Sequence, residues 1–182
     1  MTMYSSQKQK GFTLVETLVA ITILIVAVIV PMRVASQSVK TAGLSREQFT
    51  AIYLAQEGIE GIIALRDDDA LNGGNTWSWY NNLSSACKNG STGCSIEPTD
   101  SSIISCAGNA CQFYLDTDGS SDSYFTHQSS EGDLSPYTRT IVVTETVNDT
   151  EVLVTSTVSW TSTYLRDTIS VVEQTVLFNL YE

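Results

Sequence analysis

The sequence predicts an α+β protein in which one long N-terminal helix, membrane-spanning in its first half and amphipathic in its second, packs on a C-terminal antiparallel sheet. Three observations carry this. Residues 12–30 read FTLVETLVAITILIVAVIV, nineteen positions with one charge. Apolar residues then recur at three- and four-residue steps as far as Ile62, and from Arg139 onward the period changes to two. A chain of 182 residues that is 42 % hydrophobic has material for one modest core.

As a helix the first apolar run is about 28 Å long, close to the hydrocarbon thickness of a bilayer. Lys8 and Lys10 precede it, so the short N-terminus is expected to stay cytoplasmic and the remainder to face outward. A secretory signal peptide would have a shorter apolar core ending in small residues, whereas this run ends at Val30-Pro31-Met32-Arg33 and continues into helical pattern. A permanently anchored single-span protein is the other competitor. Neither accounts for Glu16, a carboxylate inside the apolar run. An ionised group near the centre of a bilayer costs about 2.5–3.5 kcal/mol, less near its edge, so Glu16 either stays hydrated at the interface or meets a positive charge when helices pack.

Pro31 removes one backbone donor and is expected to kink the helix rather than end it. Phe49, Ile52, Ala55, Ile59 and Ile62 form the stripe expected to face the domain, and Gly43, Gly58 and Gly61 mark close packing or local unwinding. Helical from Phe12 to about Arg66, the element would be roughly 80 Å long. Asp67-Asp68-Asp69 would place three acids at the negative end of the helix dipole, and Asn72-Gly73-Gly74-Asn75 follows, so the helix is expected to stop near Arg66.

Residues 67–135 are rich in Ser, Gly, Asn and Asp and hold all four cysteines, Cys87, Cys94, Cys106 and Cys111. An even number in a loop-rich stretch points to disulfides and an oxidising compartment. Three pairings are open. The nearest-neighbour one, Cys87 with Cys94 and Cys106 with Cys111, closes only small loops and would restrict the unfolded chain by about 2–3 kcal/mol per bridge. Spacings of six and four intervening residues fit a tetrahedral zinc site poorly. Trp77, Trp79 and Tyr80 read as core rather than a ligand-stacking patch. Asp116, Asp118 and Asp122 around Gly119 are a candidate calcium loop, although Asp-Gly is also an ordinary turn signal.

In residues 136–182 the apolar positions alternate. Ile141, Val143 and Val147 fall in one strand and Val152, Val154, Val158 and Trp160 in the next. The last holds Ile169, Val171, Val176, Phe178 and Leu180. The side of alternation changes between Val171 and Val176, which predicts a bulge or a bend there. The expected product is a meander covering the distal helix.

Residues 67–182 hold three basic against sixteen acidic side chains, a net charge of -13. Such a surface repels phosphate backbones, so no direct nucleic-acid binding is expected. Catalysis has little material: His127 is the one histidine and reads as a solvated loop residue, and no phosphate-cradling or dinucleotide motif occurs.

Lys8-Gln9-Lys10-Gly11-Phe12-Thr13-Leu14-Val15-Glu16, followed by the apolar run, resembles the leader signal of type IV prepilins and type II secretion pseudopilins. The resemblance implies a leader over residues 1–11, cut after Gly11 by a prepilin peptidase. It further implies N-methylation of Phe12, and Glu16 setting register against the Phe12 amine of a neighbour. It implies an assembly helix over 12–31, an amphipathic helix over 32–66 and a pilin head. The implied partners are other pilin subunits, the membrane assembly platform and, before assembly, lipid. The implied location is the cytoplasmic membrane, then a surface pilus or an extracytoplasmic pseudopilus. The Arg139-led strand and the Val-rich strand ending in Trp160 look more like minor pilins or I-type pseudopilins than a major pilin. Without assembly, the same residues read as a membrane-anchored binding module or adhesin.

Overall fold

A computed structural model describes residues 11–73, 77–88, 90, 92–116, 123–130 and 132–179. Helix α1 runs Leu14–Leu71, continuing through Pro31. Its most apolar 18-residue stretch has a mean hydropathy of 2.6 and none of it is buried by the chain itself. The expected stop at Arg66 is overturned, because α1 passes through Asp67, Asp68 and Asp69. The unfavourable end charge is offset locally: Arg66 pairs with Asp67 at 2.9 Å, Ser78 donates to Asp69, and the Asn72 side chain caps the Asp68 carbonyl at 2.9 Å. By contact density the chain divides at Gly43/Leu44, and the architecture below is that of the second unit.

Two short helices follow, α2 (Ser78–Asn82) and α3 (Ser85–Lys88). Among the described residues seven strands then form one antiparallel sheet: β1 (Cys94–Ile96), β2 (Ile103–Ser105), β3 (Gln112–Asp116), β4 (Tyr124–Thr126), β5 (Asp133–Val147), β6 (Glu151–Thr161) and β7 (Thr168–Phe178). Strand β5 is the spine. One side pairs with β6 from Tyr137 to Val147; the other pairs with β3 through Thr138 and with β1 at Ile141. The strand begins at Asp133, six residues before the alternation becomes legible, because β3 continues the pairing across Leu134.

The bulge expected in β7 is not there. Pairing of β7 with β6 is unbroken from Thr161↔Thr168 to Glu151↔Phe178. Constant register keeps one face inward, so Ile169, Val171 and Leu177 face the core side while Val172, Val176 and Phe178 are left exposed. The irregularity lies in β5 between Glu145 and Val147, and it turns Val147 out to 49 % exposure although the alternation places it beside Val143. Leu180 lies outside the described residues.

The distal half of α1 crosses the inner face of this sheet. Its buried residues are Ala51, Leu54, Ala55, Gly58 and Ile62, mostly small. The expected stripe is therefore turned: Ala55 and Ile62 are buried, Ile52 and Ile59 are half-buried, and Phe49 is 61 % exposed. Small side chains let the helix axis approach the sheet, and bulk is supplied from the strands. A Cβ on Gly58 would lie 2.9 Å from both Arg139 Cδ and Ser156 Oγ, and one on Gly61 would lie 2.9 Å from Ile96 Cδ1. The core has two parts, one around Ile62, Trp79, Ile141 and Val154, the other around Leu54, Phe113, Tyr137 and Trp160. Trp77 and Trp79 are buried and in edge contact at 6.0 Å. Sulfur bonds join Cys87 to Cys94 and Cys106 to Cys111, with Cα separations of 4.7 and 5.0 Å.

Candidate assembly site and the buried polar centre

Gly11, Phe12 and Thr13 precede the first turn of α1 in non-helical backbone. A bond between Gly11 and Phe12 thus lies in chain a protease can bind extended, and nothing stands within 4 Å of where a Gly11 side chain would begin. Thr13 caps the helix: its Oγ1 accepts from the Glu16 amide at 3.3 Å and its carbonyl accepts from the Thr17 amide at 3.2 Å. Phe12 is 79 % exposed, and Glu16 is exposed in the first turn, where a carboxylate complements the positive end of the helix dipole. The apolar side chains that follow, from Leu14 to Val30, bury nothing within the chain. Their surface is satisfied only by lipid or by other helices.

A second constellation sits between the two parts of the core. Arg139 occupies an inward position of β5 and is 1 % exposed. Its guanidinium donates to the Leu54 carbonyl of α1 at 2.9 Å, to Glu57 at 2.9 Å, to Ser95 Oγ at 3.0 Å and to the Ile96 carbonyl. Its plane lies 4.8 Å from the Phe113 ring centre. Burial opposes its charge, and the carboxylates of Glu57 and Glu97 support it.

His127 is not the solvated loop residue that the sequence suggests. It is 9 % exposed and stacks on Phe113 at 4.2 Å. Nδ1 donates to the Gln112 carbonyl at 3.1 Å, so Nε2 is left to accept from Ser95 Oγ at 2.8 Å, and that same oxygen accepts from Arg139. The His127 amide donates to the Glu97 carboxylate at 2.8 Å. Burial, with the Arg139 charge added, pushes the His127 pKa below its ordinary value against the Gln112 bond and Glu97. These partners hold a neutral ring in one tautomer, with the hydroxyl of Ser95 committed on both sides.

A third tie lies nearer the start of the unit. The Trp160 indole donates to Glu47 at 3.3 Å, the Thr163 amide donates to the same carboxylate at 3.2 Å, and Tyr137 Oη donates to the Glu47 carbonyl at 3.2 Å. Burial raises the Glu47 pKa, but hydrogen bonds from Ser162, Thr163 and Trp160 together hold it below the usual carboxylate value. All four cysteines are consumed by disulfides, leaving no thiolate for a metal. Of the candidate calcium ligands, Asp118 and Asp122 lie outside the described residues, and Asp116 is buried at the end of β3. Among the described residues no three His, Cys, Asp or Glu side chains are grouped to hold an ion.

Sequence reasoning missed Arg139 and His127 as a pair. A signal for the first exists: Arg139 interrupts an inward series of Tyr137, Ile141 and Val143, where a lone cation must be satisfied internally. His127 immediately follows the three-residue strand β4, which is too short to show a period.

Residues 6–30 match the prokaryotic N-terminal methylation motif. No curated protein and no solved structure matches the chain. The motif supports a type IV pilin-like protein, a class that assembles with other pilins and is processed by a prepilin peptidase. The exposed apolar helix fits membrane anchoring followed by an extracellular pilus.

Proposed function

We propose, taking the methylation motif as premise, that this chain is a structural and minor subunit of a type IV pilus or type II secretion pseudopilus. The leader through Gly11 is removed by prepilin peptidase on the cytoplasmic side, and the amine of Phe12 is methylated. Helix α1 then passes from lipid into a bundle of like helices under the action of the membrane assembly platform, with the head outside. The observation that carries this is the methylation motif lying on an apolar helix that the chain itself leaves wholly uncovered. Catalysis plays no part in this role.

Glu16 supplies specificity. Within an apolar bundle its carboxylate pairs with the charged amine of Phe12 on a neighbouring subunit. A neighbour out of axial register leaves both charges desolvated and unpaired, at several kcal/mol. The test is Glu16→Ala in the full chain. Membrane insertion and a mature N-terminus at Phe12, read by intact mass, should be retained, while recovery in sheared filaments falls by about tenfold or more. Normal recovery would remove the register role; a chain that keeps Met1 would favour a tethered binding module instead.

A further inference from the structure

Strand β7 ends one side of the sheet, and among the described residues it pairs with β6 alone. At one end of that ladder the Ser162 amide donates to the Asp167 carbonyl, and at the other the Asn179 amide donates to the Thr150 carbonyl. Facing residues that exchange bonds alternate with facing residues that do not, so both ends commit the odd-numbered residues of β7 to β6. The backbone N–H and C=O groups of Ser170, Val172, Gln174, Val176 and Phe178 are therefore directed to the open edge. Thr168, the other even-numbered residue, already gives its amide to the Asp167 carboxylate at 2.9 Å.

Sheet edges in soluble proteins are blunted by short length, by Lys or Pro, or by a bulge. Strand β7 has 11 residues, neither Lys nor Pro, and an unbroken register. Val172, Val176 and Phe178 stand exposed along its outer face. Of the sixteen acidic side chains in residues 67–182 the strand carries only Glu173, so a second acidic head meets little local repulsion here.

We propose that two copies of this chain join head to head through antiparallel β7 strands, related by a two-fold axis at Gln174. The free run from Ser170 to Phe178 is symmetric about Gln174, so this register gives each free backbone group a partner. Val172 then lies beside the partner's Val176, Ser170 beside the partner's Phe178, and Glu173 beside the partner's Thr175. Moving the axis to Glu173 would set two carboxylates opposite each other and place Phe178 against Thr168, whose amide is already bonded. The pairing involves the heads alone and does not depend on the assembly reading above.

The native cysteines are all bonded, so a single Cys substitution gives the full chain one reactive thiol. In the pair, the two Gln174 Cα atoms stand about 5.5 Å apart, within reach of a disulfide, and the two Val172 Cα atoms about 14 Å apart. Under mild oxidation in detergent, Gln174→Cys should form a linked dimer at least about tenfold faster than Val172→Cys alone. A mixture of Val172→Cys and Val176→Cys chains should link to each other. Gln174→Pro removes an amide that bonds nothing within the head, so it should abolish the dimer seen by light scattering and leave the head's melting temperature within about 2 °C of the parent. Equal linking rates for Gln174→Cys and Val172→Cys would overturn the proposal, as would a Gln174→Pro chain that keeps the parent's dimeric mass. A parent chain that scatters as a monomer and a Gln174→Cys chain that does not link would also overturn it, leaving the edge to a strand of another protein.

Discussion

Replacing Arg139 with methionine separates the buried polar centre from simple packing, since the two side chains are of similar length and little cavity remains. The substitution removes donors from Ser95 Oγ and the Ile96 carbonyl, and a second donor from the Leu54 carbonyl. Ser95 is fully buried and Ile96 is 4 % exposed, so water does not replace the lost donors, at about 1–3 kcal/mol for each orphaned group. The ion pair adds less. The Glu57 side chain is 43 % exposed and rehydrates once its partner is gone. Together the loss should be about 3–5 kcal/mol. For a chain of this size that is a fall in melting temperature of roughly 6–20 °C. The assay is thermal unfolding of the full chain in detergent, followed by the near-ultraviolet dichroism of the tryptophans, which report the head alone. A melting temperature within about 2 °C of the parent would refute the reasoning. It would mean that the guanidinium is tolerated by the core rather than tying α1 to the sheet.

Two further outcomes follow from the same packing. His127 has a lowered pKa in the folded head, so the unfolded chain takes up its proton first as pH falls. Its contribution is fully present above an unfolded pKa of about 6.5 and is lost as pH drops below that toward the folded value, so the melting temperature should decline between pH 7 and 5. His127→Gln should flatten that decline, and an unchanged slope would rule out His127 as its source. Gly58→Ala should lower the urea midpoint: helix propensity gains up to about 1 kcal/mol, but a methyl group 2.9 Å from Arg139 Cδ and Ser156 Oγ overpacks a site that has no room to relax, at about 1–3 kcal/mol. A raised midpoint would show that helix and sheet can separate there.

Local rules made most of the architecture legible. The apolar run, Pro31 within a continuing helix, and the alternation in β6 each rest on neighbours in sequence, and the structure has them where the pattern places them. The failures share a cause. Three consecutive aspartates argue for a helix end only while their partners are unknown, and those partners, Ser78 and Asn72, belong to the following turn and helix. The outward turn of Val172, Val176 and Phe178 looks like a bulge in isolation, yet β7 takes its register from β6 without interruption. The three- and four-residue spacing puts Phe49 on the inward stripe; what decides burial there is how closely the helix approaches β5, and that favours Ala51 and Gly58. At the N-terminus, the methylation motif over residues 6–30 could be read because it depends on linear spacing alone. The polar centre depends on Ser95, His127 and Arg139, separated by 32 and 44 residues from Ser95, and no spacing rule reaches so far.

The tie between Glu47 and Trp160 spans 113 residues of chain, and the one between Leu54 and Arg139 spans 85. Synthesis proceeds at about 5–20 residues per second, so the distal helix waits roughly 6–23 s after Glu47 is made before its covering strand exists. Loops that long close slowly, and contacts of high sequence separation slow folding further. The two disulfide loops, with separations of 7 and 5 residues, need no such wait and can close while the meander is still being delivered. Until Trp160 arrives to shut the head, the distal helix of a nascent subunit therefore lacks the strands that cover it.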